Sequence, residues 1–453
     1  MQPVESTGSA ATGNRELILR FSLMAFSVAC IVIRAPSLLV NPRFWAEEGP
    51  TYFAFAWHHD WLTALIQPHL GYYSLVPNAA TTLAVHLVPL EQAPLLTTVI
   101  AFCIQLIPIA IILWGGDEIW RGSGRQFLAV MAVMFTLASG ETWLTTICDQ
   151  FYLALACFLI LVGDPGSSSR IKNWAYRLLL VCAGLNGVVS ALLAPLFLVK
   201  WFTTRSREVI SQFSILATCL LVQLAVAAAT FGDQAGASER IGFVPVSVLA
   251  SILVVKSSVR PFLGIGAARL VSHTLFDLLN GTPAVVVCVG MIALTAFISQ
   301  CWFLTAAMDR IRRLYFIGSV VLMTVPAVIL SIDPKNDLLL GMEGHRYFLA
   351  ANIIFVLAAI SSMNLNRKAF RFSRDLFASF MVASALFMGL IYFRPALCIS
   401  PGWSDWREEV HRWRIDSSYR IEVWPPGWGM NLDSPETEAA KGRSEGPDAT
   451  PGN

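Results

Sequence analysis

The chain has 453 residues, of which 55% are hydrophobic and 14% charged, with a net charge of +2 at neutral pH. Soluble domains carry about 25% charged residues, so a single soluble fold is excluded. The near-neutral balance, with no basic run, gives no support for a nucleic-acid partner held through its phosphates. The nine cysteines fall mostly inside apolar stretches without CxxC spacing, so neither a zinc site nor a disulfide framework is signalled.

Apolar runs about as long as the ~20 residues needed to cross a ~30 Å hydrocarbon layer recur along the chain. The first, from Ile18 to Val40, follows a polar leader and lacks a small-residue cleavage site. It reads as a retained signal-anchor with the N-terminus in the cytoplasm. Others run from Tyr72 to Leu87, Leu95 to Trp114, Phe127 to Ala138, Phe151 to Val162, Leu178 to Val199, Ile215 to Phe231, Thr282 to Leu304, Phe316 to Ile332, Phe348 to Met363 and Leu376 to Phe393. The expected fold is all-α, a polytopic transmembrane helical bundle of about eleven spans within residues 1–393. The run from Val244 to Leu263 offers one more crossing, and the two short runs between Gly115 and Arg177 suit half-crossing helices. The total then lies between roughly ten and thirteen.

Lys and Arg concentrate in cytoplasmic loops. The groups Lys200/Arg205/Arg207, Arg310/Arg312/Arg313 and Arg367/Lys368/Arg371/Arg374 therefore mark the inside. This places the first loop (residues 41–71), the connection from Gly232 to Asn280, the segment from Asp333 to Arg346 and everything after Arg394 outside. Residues 394–432 form a Trp-rich extracytoplasmic appendage with Trp403, Trp406, Trp413, Trp424 and Trp428. Within it, Trp403 to Trp413 suits a short helix, and Tyr419 to Trp424 alternates like a strand before Pro425-Pro426-Gly427. The alternative for these tryptophans is a belt at the bilayer surface. Residues 433–453 have the polar, Pro/Gly/Ser-rich composition of a disordered tail. No fixed-period repeat is present, which weighs against a transporter built from inverted repeats.

Polar groups are concentrated in three places. The first loop gathers Arg43, Glu47, Glu48 and His69, with Tyr72 at its end. A carboxylate ionised at neutral pH and within reach of a hydroxyl can take its proton as the oxygen attacks, so Glu47 or Glu48 is a candidate general base. The other acid would orient a donor, hold a metal, or tune its neighbour through like-charge coupling. The plain alternative is a solvated loop tip. The second cluster, Glu343, His345, Arg346 and Tyr347, opens a later span. Arg346 can clamp a phosphate in bidentate fashion and stabilise charge on a leaving group, or it can anchor a helix end at the lipid head groups. The third, Glu141, Asp149 and Gln150, lies between two short runs. It reads either as a connection dipping into the membrane, where ionisable groups are usually functional, or as an exposed loop. No Walker loop, GxGxxG or GxSxG is present, which leaves nucleotide-driven transport, Rossmann-type nucleotide-sugar chemistry and serine hydrolysis without support. A substrate delivered within the membrane fits better.

Phe44-Trp45-Ala46-Glu47-Glu48-Gly49, followed by His69-Leu70-Gly71-Tyr72 through Pro77, resembles the F-W-x-E-D-G and H-x-G-Y-x-x-x-x-P stretches of the GT-C superfamily of integral membrane glycosyltransferases, in a bacterial group with an acidic pair in its first outer loop. Gly140-Glu141 through Gln150, Arg346-Tyr347-Phe348 and Pro425-Pro426-Gly427-Trp428 look similar too. The resemblance implies transfer, with inversion, of a sugar from a polyprenyl-phosphate carrier to a glycan or lipid hydroxyl on the outer face of a bacterial inner membrane. It would make Glu47 or Glu48 the base, with Arg346 and His69 meeting the carrier phosphate. Arg43, Tyr72, Glu141, Gln150, His345 and Tyr347 would complete the substrate site. No cofactor is signalled, and a divalent metal is left open. The usual Glu-Asp pair is Glu-Glu here, which leaves the identity of the base open. The competing classes are a transporter or flippase for a lipid-linked saccharide and a non-catalytic scaffold of envelope assembly. Catalysis requires the first-loop acids and Arg346 to meet across one exterior cavity.

Overall fold

The computed structural model describes residues 7–137, 140–164, 169–230, 244–331, 335–341, 344–363, 372–394 and 405–433. Over these residues the chain is nearly all-α, and the one sheet has two short strands. Seven helices are long and apolar enough to cross a membrane: Asn14–Arg34, Leu90–Trp114, Arg207–Thr230, Val246–Leu279, Pro283–Thr305, Arg310–Ile329 and His345–Ser362. Four shorter apolar helices accompany them: Ser123–Phe135, Thr146–Val162, Ala191–Thr204 and Asp375–Ile391.

Composition sorts the helices into layers. Leu349–Ser362 and Asp149–Val162 are apolar all round and buried along nearly their whole length, as central helices must be. Pro283–Thr305 leaves Val287, Met291, Ile292, Ile298 and Trp302 exposed, an apolar surface of the extent that lipid covers. Arg310–Ile329 starts where the Asp309 carboxylate accepts from the backbone N–H groups of Ile311 (3.0 Å) and Arg312 (2.8 Å), a cap that also suits the positive end of the helix dipole.

Three expectations change. The run from Leu178 to Val199 is not one helix: Arg170–Gly184 ends, the chain turns, and Ala194–Thr204 begins. Gly187 sits at φ +78°, where a side chain is strained, and a Cβ there would collide with the Gln150 amide. The broken backbone is satisfied from within the protein. The fully buried Gln223 donates to the carbonyls of Tyr73 (2.9 Å), Gly187 (3.3 Å) and Gly184 (3.4 Å), and the Asn186 side chain accepts from the N–H of Val76 (3.1 Å). Irregular backbone at membrane depth is tolerated only under such cover. Next, the expected outer connection from Gly232 to Asn280 contains a 34-residue candidate span, Val246–Leu279, with a kink at Gly264 (φ +84°). Finally, the run from Tyr72 to Leu87 forms the 13-residue helix Leu75–Leu87. At 1.5 Å per residue this covers only about 20 Å and falls short of a crossing.

The C-terminal appendage folds onto the first loop. Its helix, Trp406–Ile415, carries Glu408 and Glu409 in the first turn and Arg412 and Arg414 in the last, the charge order a helix dipole favours. Strands Ile421–Glu422 and Gly429–Met430 pair antiparallel, with Ile421 opposite Met430. The Trp424 N–H donates to the Phe44 carbonyl (2.9 Å) and the Ala46 N–H donates to the Trp424 carbonyl. Phe44, Phe53, Trp406, Val410, Ile421 and Val423 share one small core. Trp406 and Trp424 are each 1% exposed, so these two are packing residues and not a bilayer belt. Trp403, Glu343 and the expected disordered tail from residue 434 lie outside the described residues.

Candidate functional site

One cavity of about 250 Å³ lies where the first loop meets the helix bundle. Its polar end is lined by Glu47, Tyr72, Gln150, Ser331, Arg346 and Tyr347. Its other wall is apolar, with Val189 and Leu192 from the broken segment, Ala227 from Arg207–Thr230, and Met323, Pro326 and Leu330 from the end of the next-to-last long span. Pro326 has no N–H, so the Leu322 carbonyl one turn earlier loses its in-helix donor beside the cavity.

The acidic pair is divided by the local backbone. Ala46, Glu47 and Glu48 form a 3₁₀ turn entered through Ala46 at φ +44°, an uncommon conformation for a residue with a Cβ. Successive residues in such a turn point about 120° apart. Glu47 consequently reaches the cavity, whereas Glu48 turns inward and is 3% exposed. One Glu48 carboxylate oxygen accepts from the backbone N–H (3.3 Å) and the hydroxyl of Thr146, and the other accepts from the Trp45 N–H (3.2 Å). Burial pushes the Glu48 pKa up, and these hydrogen bonds oppose the shift. Glu48 thus clamps residues 45 and 146 together and does not line the cavity.

Arg346 sits on the turn His345–Phe348, after Gly344 at φ +64°. Its Nη1 donates to Glu141 Oε2 at 2.7 Å, its Nη2 donates to the Tyr347 hydroxyl at 3.3 Å, and the guanidinium lies 5.1 Å from the centroid of the Tyr347 ring. Glu141 is not part of the lining: it holds the guanidinium from behind, a charge-assisted contact that fixes orientation. Gln150 lines the cavity at the start of Asp149–Val162, and its neighbour Asp149 is fully buried, with no hydrogen-bond partner for either carboxylate oxygen among the described residues.

Besides Glu141, three more expected substrate contacts lie outside the lining. Arg43 is buried, donating to the Glu422 carbonyl (2.9 Å) and lying 3.8 Å from Glu409, so it ties the appendage to the first loop. His69 packs edge-on against Tyr52 (4.7 Å) and Phe55 (5.1 Å), behind the lining; burial lowers its pKa to about 4, so it is neutral at pH 7. His345, next to Arg346, faces a second, smaller pocket. The cavity also takes in Tyr52 and Ser331, which the sequence reading passed over. Tyr52 follows Glu47 within a π-helical turn, Gly49–Phe53, and a helical period of 3.6 does not put the two on one face.

Among the described residues no group of three His, Cys, Asp or Glu side chains converges as a metal site requires. The cavity thus offers a carboxylate and a positioned guanidinium at one end of an apolar slot. These can accept a proton and stabilise an anion. No protein-family model matches the sequence, and no curated protein matches it.

Proposed function

We propose that the protein is an integral membrane glycosyltransferase of the GT-C type, moving a sugar from a polyprenyl-phosphate donor to a hydroxyl acceptor outside a bacterial inner membrane. The supporting observation is the single cavity that joins Glu47, Arg346 and an apolar wall. A lipid-linked donor needs both characters, an apolar slot for its tail and a cation for its phosphate. Glu47 takes the acceptor hydroxyl proton as that oxygen attacks the anomeric carbon from the face opposite the phosphate. The bond from the sugar to the phosphate oxygen breaks, its electron pair stays on the phosphate, and Arg346 stabilises the charge left there. Glu141 positions Arg346, and Tyr72, Gln150 and Tyr347 contribute polar contacts to the sugar.

The first loop, the Arg346 turn and the appendage share the exterior, and the N-terminus is cytoplasmic. The test is an assay of the purified protein in lipid nanodiscs with a polyprenyl-phosphate sugar and a lipid or glycan acceptor, product mass being the readout. Transfer by the wild type and none by Glu47→Gln is the expected result. Movement of labelled lipid between the leaflets of proteoliposomes, with no glycosidic bond made, would instead establish the flippase.

A further inference from the structure

Among the described residues, those other than glycine at positive φ are Ala46 (+44°), Leu70 (+56°), Leu144 (+56°) and Arg205 (+53°). A left-handed backbone crowds the Cβ against the following carbonyl oxygen, so such residues are uncommon and gather where a side chain is put to use. Arg205 has an ordinary structural reason, since it caps the helix Ala194–Thr204. The other three surround the main cavity. Ala46 enters the turn that carries Glu47, Leu144 lies between Glu141 and Thr146, and Leu70 lines the cavity itself.

Leu70 and Gly71 (φ +82°) are the central residues of a tight turn closed by reciprocal backbone hydrogen bonds between His69 and Tyr72, each 3.2 Å. Two consecutive positive φ values mark a type I′ turn, whose first central position favours Asn, Asp or Gly. Leucine is a strained choice there. Its surroundings hold the turn from both ends. The His69 ring packs on Tyr52 and Phe55, and the Asn78 amide donates to the Gln67 carbonyl (2.7 Å). On the other side the Tyr73 hydroxyl donates to the Leu65 carbonyl (2.9 Å) and the Tyr73 N–H donates to Gln223 (3.0 Å). The tip of the turn reaches the end of Arg207–Thr230, where a Cβ on Gly71 would stand 3.9 Å from the Thr230 hydroxyl oxygen. Tyr72 belongs to the polar end of the cavity, and Ala227, one turn before Thr230, belongs to its apolar wall. Leu70 therefore stands where the two meet.

We infer that Leu70 is a specificity-determining residue whose side chain meets the first carbons of the donor's tail, next to the phosphate. The inference rests on the reading of the cavity as a site for a lipid-linked phosphate, and adds to it a contact that selects hydrocarbon at the point of attachment. Asparagine at this position would suit the backbone better and the tail worse. Stability and binding then move in opposite directions on substitution, which a packing role would not produce.

The test titrates geranylgeranyl phosphate and the shorter geranyl phosphate into full-length protein in detergent, with binding read by microscale thermophoresis and stability by thermal unfolding. Leu70→Asn is expected to weaken both phosphates by the same factor, about five- to tenfold, the loss of one apolar side-chain contact. It should also raise the unfolding temperature by about 1–2 °C. Leu70→Met, which keeps an apolar chain on the same strained backbone, should bind within about twofold of the wild type. Equal losses for the two tails separate Leu70 from the wall residue Ala227, further along the slot, where only the longer tail reaches. A fall in unfolding temperature in Leu70→Asn, unchanged binding, a loss confined to the longer tail, or no binding of either phosphate by the wild type overturns the inference. Failure of the transferase reading looks different: the wild type binds these phosphates and makes no glycosidic bond, and the role of Leu70 stands. Sugar transfer by the wild type with binding unchanged in Leu70→Asn is the converse, and ends the role of Leu70 alone.

Discussion

The two sides of the main cavity are built in opposite ways. Its apolar wall comes largely from long helices, Arg207–Thr230 and Arg310–Ile329, whose side chains follow from helical periodicity and membrane burial. Its polar rim comes from the short turns Ala46–Glu48, Gly49–Phe53, Thr146–Cys148 and His345–Phe348. These turns are cross-linked by contacts distant in sequence, Glu48 to Thr146 and Glu141 to Arg346. Regular helices can hold a tail, but aiming a carboxylate and a guanidinium at one point needs irregular backbone, which survives near a bilayer only when protein satisfies it.

The sharpest way to break this contrast is to exchange the roles of the two adjacent acids. Glu47→Gln should cost transfer about 10²–10⁴-fold in kcat with unfolding temperature unchanged, while Glu48→Gln keeps most activity. The reverse pattern would show that the base is the buried acid. Arg346→Ala should cost about 10²–10³-fold, as the removal of a donor to developing charge does. Glu141→Gln should cost about tenfold, because it loosens the guanidinium without removing it; equal losses in the two variants would place Glu141 in the chemistry itself.

Two titrations sharpen the comparison through stability. His69 is held at about 4 against an ordinary 6.5, so the unfolded chain binds its proton first. Its contribution is complete above pH 6.5 and disappears as pH falls towards 4, amounting to up to about 3 kcal/mol. His69→Phe should flatten that acid-side slope in a melting series. Glu48 has the opposite sign: its pKa is raised, so its protonated form favours the folded state and stability falls as pH rises from the ordinary carboxylate range through the raised value. Glu48→Gln should remove this smaller slope, and an unaltered profile would mean that the clamp does not titrate. The mildest expected effect is on the wall. Ala227→Phe should raise KM a few-fold for long-tailed donors and leave a short-chain analogue unaffected.

The wall was largely legible in the sequence and the rim only in part. Runs such as Ile215 to Phe231 and Phe316 to Ile332 became the wall's helices because such long stretches of consecutive apolar residues have few other options. Reading Leu178 to Val199 as one span failed because hydropathy cannot register a bend whose backbone is met by Gln223, a polar residue on another helix. At the rim, residue chemistry brought forward Glu47, Tyr72, Gln150, Arg346 and Tyr347, all of which line the cavity. It could not separate Glu47 from Glu48, since one step along a 3₁₀ turn decides which of them meets the cavity. Nor could it anticipate that Arg43 is held by a hairpin almost four hundred residues downstream.

Gln223 also joins the two sides mechanically. It stands one turn before Ala227 on the same helix, and it grips the Tyr73 backbone, accepting from its N–H at 3.0 Å and donating to its carbonyl at 2.9 Å. A displacement of that helix is therefore passed to the segment carrying Tyr72, so whatever wedges into the slot also pulls on its mouth.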